Sequence, residues 1–373
     1  MNRAASTTLT VRRIAGAWVW ALPLLGLVAL VLSWERELPG PLYLVVGAVL
    51  IGVVLAAVHH AEVIAHRVGE PYGSLVLAVS VTVIEVALII TLMLSKPSTE
   101  ASTLARDTAF AAVMITINGI VGLSILVGSL KHNMPRFNPE GAGSGLAVVM
   151  TLTTLTLVVP SFTISEPGAR FTPLQLAFVA TAAIVLYGAF VLLQTGRHRD
   201  FFLPVGKSGE VIDEDDHSDP PSARATLASL GLLLASLVAV VGLAKAMSPA
   251  IEDGVDAVGI PESFVGVIVA LVVLLPEGLA ATKAAARNRL QTSLNLGIGS
   301  AMATIGLTIP SLAVASIWLP TPLTLGLGPV QIVLLLLTGA VATLTVVPGR
   351  ATRLQGTTHL VLFASFLFLS ASP

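Results

Sequence analysis

The chain has 373 residues, of which 55% are hydrophobic and only 11% charged, with a net charge of −1. Soluble domains carry about 25% charged residues, so this composition, with a mean hydropathy of +0.91, excludes an ordinary soluble protein and describes a surface that faces lipid. There is no cysteine, which excludes disulfides, thiolate zinc sites and cysteine nucleophiles.

In chain order, Arg3, Arg12 and Arg13 precede an apolar run that reaches Ser33 without a small-residue cleavage motif. That run is too long for a signal peptide and predicts a first spanning helix. Further apolar stretches predict helices near 41–63, 72–94, 107–130, 145–163, 173–193, 225–246, 261–281, 291–313, 327–347 and 357–372, after the leading helix near 14–33. Most have the roughly 20 residues needed to cross hydrocarbon. The longest polar stretch, 196–222, holds Asp213, Glu214, Asp215, Asp216 and Asp219 before Pro220 and Pro221, and is expected to be a solvated linker between two halves. The expected fold is therefore all-α and integral to the membrane, with about eleven transmembrane helices. The domains are a leading helix (1–33), a first five-helix repeat (34–195), the acidic linker (196–222) and a second five-helix repeat (223–373).

The basic residues give the orientation. With the N-terminus in the cytoplasm, 15 of the 20 Lys and Arg fall on the inside and 5 on the outside, the asymmetry expected of an inner-membrane protein.

Two segments resemble each other. GEPYGSLVLAVSVTVIEVALI runs from Gly69 to Ile89, and GIPESFVGVIVALVVLLPEGLA from Gly259 to Ala280. Each opens on glycine with a proline two residues on, Pro71 or Pro261, and carries an acid, Glu70 or Glu262, 15 residues before a second acid, Glu85 or Glu277. Five helices per half is an odd number, so the two segments cross in opposite directions. Such inverted repeats mark transporters whose site lies near the midplane.

Glu85 and Glu277 are the acids expected deep within apolar spans. Placing a charge there costs at least ~2.5 kcal/mol, so such a residue has a task. A carboxylate in a low dielectric can hold a proton near neutral pH, and the same oxygens can ligate a hard cation. One group that takes a proton or a cation, and not both, is the chemical core of an antiporter. Thr82 lies one turn before Glu85. Pro276 precedes Glu277 and disturbs the helical ladder, which can free a carbonyl oxygen. Asn118, Ser300 and Thr304 offer neutral oxygens on the following helices, either as ligands or as polar contacts between helices. Gly297 and Gly299 are expected to let their helix approach a neighbour closely.

His59, Glu62, His66 and Glu70, with His60 beside them, form a helix stripe at the cytoplasmic end of the second span. It is either a cation-collecting mouth or a wet helix end. The transported ions and the bilayer are the expected partners; nucleic acid is not, and no resident cofactor is expected. An intramembrane hydrolase using the two acids, or a channel, are the alternatives to transport by exchange.

Three stretches carry a resemblance to a known family: VSVTVIEVALI around Glu85, ITINGIVGLSILVGSLKHNMPRF from Ile115 to Phe137, and PEGLAATKAAARNRLQTSLNLGIGSAMATIGLTIP from Pro276 to Pro310. By these the chain resembles the calcium/cation antiporter superfamily, in particular its bacterial ChaA-like cation/proton exchangers. The resemblance implies that Glu85 and Glu277 are the essential glutamates at which protons and cations compete. It implies calcium:proton exchange, with sodium or potassium as the alternative cation. Where typical calcium/proton exchangers place asparagine three residues before each glutamate, this sequence has Thr82 and Leu274. The family's serine–asparagine pair survives only as Asn118, after Ile117.

Overall fold

The computed structural model describes residues 3–36, 38–69, 72–95, 98–196, 198–205, 220–319 and 321–372. It is helical, with an isolated bridge between Arg136 and Arg350 and no strand among the described residues. Among the described residues, ten helices are long and apolar enough to cross a membrane, and Ala17–Ser33 adds a shorter apolar helix. These account for the eleven predicted elements. The acidic linker, from Asp213 to Asp219, lies outside the described residues.

The chain forms two compact units. The first holds α1 (Arg3–Ser33), α2 (Gly40–Val68), α3 (Tyr72–Ser95) and α7 (Ala223–Ala257) as far as Ile251. Here α2 packs on both α1 and α3. Small residues set the spacing: a Cβ on Gly26 of α1 would stand 2.6 Å from Val53 and 3.0 Å from Ala239. Buried His60 ties the same three helices together. One ring nitrogen is 3.2 Å from Ser229 Oγ of α7 and the other 3.1 Å from the Val19 carbonyl of α1. Helix α2 ends at Gly69, whose φ of +76° favours a residue without Cβ.

The second unit holds the remaining helices. Helix α4 runs Ser98–Met114, passes through a π turn at Ile115–Ile120, and continues as Val121–His132. Helix α5 is Pro139–Thr153, with a π turn at Thr154–Val158, and α6 is Pro173–Thr195. Then come α8 (Phe264–Ala286), α9 (Leu290–Ala303, a π turn at Thr304–Thr308, then Ile309–Ala315), α10 (Pro329–Val346) and α11 (Arg353–Ala371). Their starts are capped as the sequence chemistry requires. Asn138 accepts from the Glu140 and Gly141 amides, and Thr172 with Gln175 and Thr352 with Gln355 form capping boxes. The extended segment before α10 is stitched to its neighbours by Thr324 N–H to the Ser102 carbonyl (2.9 Å), Gly326 N–H to Ala169 (3.0 Å) and Leu327 N–H to Leu157 (2.8 Å).

Several helices begin earlier than the apolar pattern predicts. The fourth starts at Ser98 rather than near 107, the fifth at Pro139 rather than near 145, and the eleventh at Arg353 rather than near 357. The apolar run marks where hydrocarbon begins, whereas a helix continues into the polar interface as long as its backbone bonds and caps permit.

The two segments compared in sequence also share backbone features. Gly259 has a φ of +68°, close to that of Gly69. A π turn follows 46 residues after Gly69 and 45 residues after Gly259.

Candidate functional site

In the first unit, Glu85 sits in the middle of α3, a helix of valine, leucine and isoleucine with no other charge between Tyr72 and Ser95. It is 3% exposed, and Thr82, three residues earlier on the same face, is also buried. The neighbouring constellation on α2 divides. His60 is a buried structural tie. His59 and Glu62 are about half exposed and face each other at 3.9 Å, and His66 is exposed. Glu70 lies outside the described residues. Exposure of His59, Glu62 and His66 suits a cation-collecting mouth and a wet helix end alike.

The second unit is organised around the π turn of α4. A π turn interrupts the regular ladder and is frequent where a helix carries function. Four helices meet this one. From α8, a Cβ on Gly278 would lie 3.5 Å from Ile120, which places the residue after Glu277 against the turn. From α9, a Cβ on Gly297 would lie 2.9 Å from Val121 and 3.7 Å from the Thr116 carbonyl. Gly297 therefore provides the close approach predicted for it. Gly299 does not, since nothing stands within 4 Å of its Cβ position. From α10 and α11, Thr338 and His359 bond to Asn118 itself.

Glu277 is half-buried on α8, whereas Glu85 is 3% exposed. Helix α8 runs through Pro276 without breaking. Proline has no N–H, so the Val272 carbonyl lacks its usual donor four residues on, as the sequence leads one to expect. Thr304 is buried at the start of the α9 π turn, with Ser300 half-buried one turn before it. Asn118 is fully buried, but both its polar atoms are used inside the unit. Nδ2 donates to Thr338 Oγ1 at 2.9 Å, and Oδ1 meets His359 Nδ1 at 3.0 Å. Thr116 is also satisfied internally, donating to the Ala112 carbonyl at 2.7 Å. Thus the structure gathers Asn118 and the flank of Glu277 at the π turn of α4, with Thr304 at the separate π turn of α9, while Glu85 and Thr82 belong to the other unit.

One expectation is corrected. Glu85 and Glu277 are not the only acids within the apolar spans: Asp107 is 5% exposed on α4. It is paired with Arg106, whose Nε and Nη2 reach Asp107 Oδ1 at 2.8 and 2.7 Å, while Nη1 donates to the Gly326 carbonyl at 3.2 Å. The crossing of α4 with α8 is tight here, since a Cβ on Gly266 would stand 2.9 Å from the Thr108 amide nitrogen. Asp107 also lines a cavity of about 260 Å³ with Ser263, Gln331 and Ser370. Asp107 and His359 escape a sequence reading for the same reason. Each lies at the edge of its apolar run and reads as interfacial, yet each is nine-tenths or more buried because its helix starts further out. A polar residue with basic or capping residues several positions before it is the signal that could have found both.

Helices long and apolar enough to cross a membrane, with acids buried in their spans, define a multi-pass membrane protein. The family model for the sodium/calcium exchanger protein matches residues 39–196 and 228–371, and the chain belongs to that family. A Sinorhizobium fredii protein named as an ionic transporter is 45% identical over 363 residues, covering 95% of this chain and 96% of that one. The sodium-potassium/proton antiporter ChaA of Escherichia coli is 36% identical, covering 92% and 93%. Among solved structures, native YfkE, a Ca2+/H+ antiporter, has the same fold. Its TM-score is 0.71 at 19% identity, over 95% of this chain and 98% of that one.

Proposed function

We propose that the protein is a secondary active cation:proton antiporter of the bacterial plasma membrane, with its N-terminus in the cytoplasm, that expels cations in exchange for protons. The observation that carries this reading is Glu85, a carboxyl group 3% exposed in an otherwise uncharged apolar helix. A carboxylate buried there is costly, and the cost is offset when the group holds a proton or a bound cation. Glu277 is its partner in the second repeat. The likeness of Gly69 and Gly259 and of the π turns that follow them supports the inverted-repeat reading.

On the outward-open side the glutamates take protons and release the cation, and on the inward-open side the steps reverse. Thr82, Ser300 and Thr304 supply neutral oxygens. The mechanism needs no resident cofactor, since the cation and the proton are cargo.

Calcium is the first candidate cation, as it is the ion named for YfkE. A second reading, sodium or potassium, has its own support. Calcium takes six to eight oxygen ligands. Here Leu274 offers none, and the Asn118 amide is engaged with Thr338 and His359. The relative ChaA of Escherichia coli is named for sodium and potassium. The test is exchange in everted vesicles with each cation in turn. Glu85→Gln and Glu277→Gln are expected to abolish it while the protein still inserts. Wild-type exchange by either variant rules the mechanism out.

A further inference from the structure

A buried polar relay joins three helices of the second unit at Asn118. Thr338 of α10, Asn118 of α4, His359 of α11 and Thr345 of α10 follow one another at 2.9, 3.0 and 3.1 Å. None of the four is more than 2% exposed. The donor inventory fixes the order of the bonds. With Nδ2 on Thr338, the Asn118 Oδ1 can only accept, so His359 Nδ1 carries the proton. A neutral His359 then accepts from the Thr345 hydroxyl through Nε2. Every group is satisfied without water, which is the condition under which a buried polar network orders its surroundings.

The position of this relay gives it a consequence. Asn118 lies inside the π turn, where the backbone ladder is irregular and by itself fixes the side chain poorly. The two bonds hold its amide from opposite sides, one from α10 and one from α11. The same turn is the surface on which α8 rests beside Glu277, through Gly278 and Ile120, and α9 rests through Gly297. We propose that His359 is a positioning residue: by holding the Asn118 amide it fixes the π turn of α4 and, through that turn, the placement of Glu277. His359 itself touches no cation. The inference rests on the antiporter reading for its transport readout.

The experiment compares wild type with His359→Leu, His359→Asn, Asn118→Leu and the double variant His359→Leu/Asn118→Leu, all as full-length protein in proteoliposomes. His359→Leu removes the donor to Asn118. The amide of His359→Asn can reproduce the Nδ1 donor. The expected result is an apparent KM for the exchanged cation about tenfold higher in His359→Leu, roughly the worth of one buried hydrogen bond, with the maximal rate kept. His359→Asn is expected to restore the KM. The double variant is expected to be no worse than Asn118→Leu alone, because one residue acts through the other. An unchanged KM in His359→Leu, additive effects in the double variant, or no rescue by His359→Asn overturns the proposal.

Hydrogen exchange of the 115–121 backbone separates this proposal from the antiporter reading, because it requires no transport. Faster exchange in His359→Leu, restored by His359→Asn, supports positioning even where wild type moves no cation, and unchanged exchange overturns it. Where His359→Leu does not assemble, Thr338→Val removes the opposite bond and is read by the same criteria.

Discussion

Among the side chains, the most exacting demands come from polar groups held in apolar surroundings. Glu85 has a transport reading, whereas Asp107 with Arg106 and His60 with Ser229 and Val19 have structural ones, and mutation separates the two kinds. Arg106→Leu leaves the Asp107 carboxylate buried without its counter-charge, at a cost on the order of 3 kcal/mol. A clear fall in thermal stability in detergent is the expected result, partly recovered in Arg106→Leu/Asp107→Leu. His60→Leu deprives Ser229 and the Val19 carbonyl of a partner and is expected to lower stability by about 1–3 kcal/mol. By contrast, Glu85→Gln keeps shape and polarity, so the expected result is lost exchange with stability nearly unchanged. Glu85 and Glu277 are legible in the sequence because each interrupts an apolar run from the middle. Asp107 and His359 are not, because each stands where a run begins and only the true helix start reveals how deep it lies. The engagement of Asn118 is also illegible, since its partners Thr338 and His359 are more than 200 positions away in the chain.

Among the elements, spacing between helices rests on glycines at particular crossings. Adding a Cβ to Gly356 of α11 would bring it within 2.6 Å of the Leu126 amide nitrogen of α4, and at Gly122 within 2.7 Å of the His359 Cβ. Backbone cannot yield as a flexible side chain can, so Gly356→Ala is expected to cost about 1–3 kcal/mol through overpacking. Gly188 of α6 and Gly231 of α7 meet nothing within 4 Å. Alanine there is expected to be neutral or mildly stabilising through helix propensity. Thermal unfolding of the three single variants, monitored by size exclusion, checks the contrast. The helices themselves are legible because a lipid-facing span needs a long apolar run, and the capping boxes at Thr172 and Thr352 are visible as Thr-x-x-Gln. The π turns are not legible. Nothing in the composition of Ile115–Ile120 or Thr304–Thr308 sets them apart from an ordinary α-helix, and the register shift follows from how neighbouring helices pack.

At the scale of the molecule, the charge asymmetry of the loops predicts topology, and the absence of cysteine makes that prediction simple to test. Ser222→Cys is expected to react with a membrane-impermeant thiol reagent in inside-out vesicles, and Ser165→Cys only in right-side-out spheroplasts. Equal labelling of both from one side contradicts the odd number of helices between them and, with it, the inversion of the two repeats. The central claim is exchange of a cation for protons at Glu85 and Glu277. Its most direct test is a pH-sensitive dye in everted vesicles carrying an acid-inside gradient, with calcium, sodium and potassium added separately. The account predicts that at least one of these cations collapses the gradient through the wild-type protein and that none does so through Glu85→Gln. A gradient that no cation disturbs, or one that Glu85→Gln dissipates as wild type does, contradicts it.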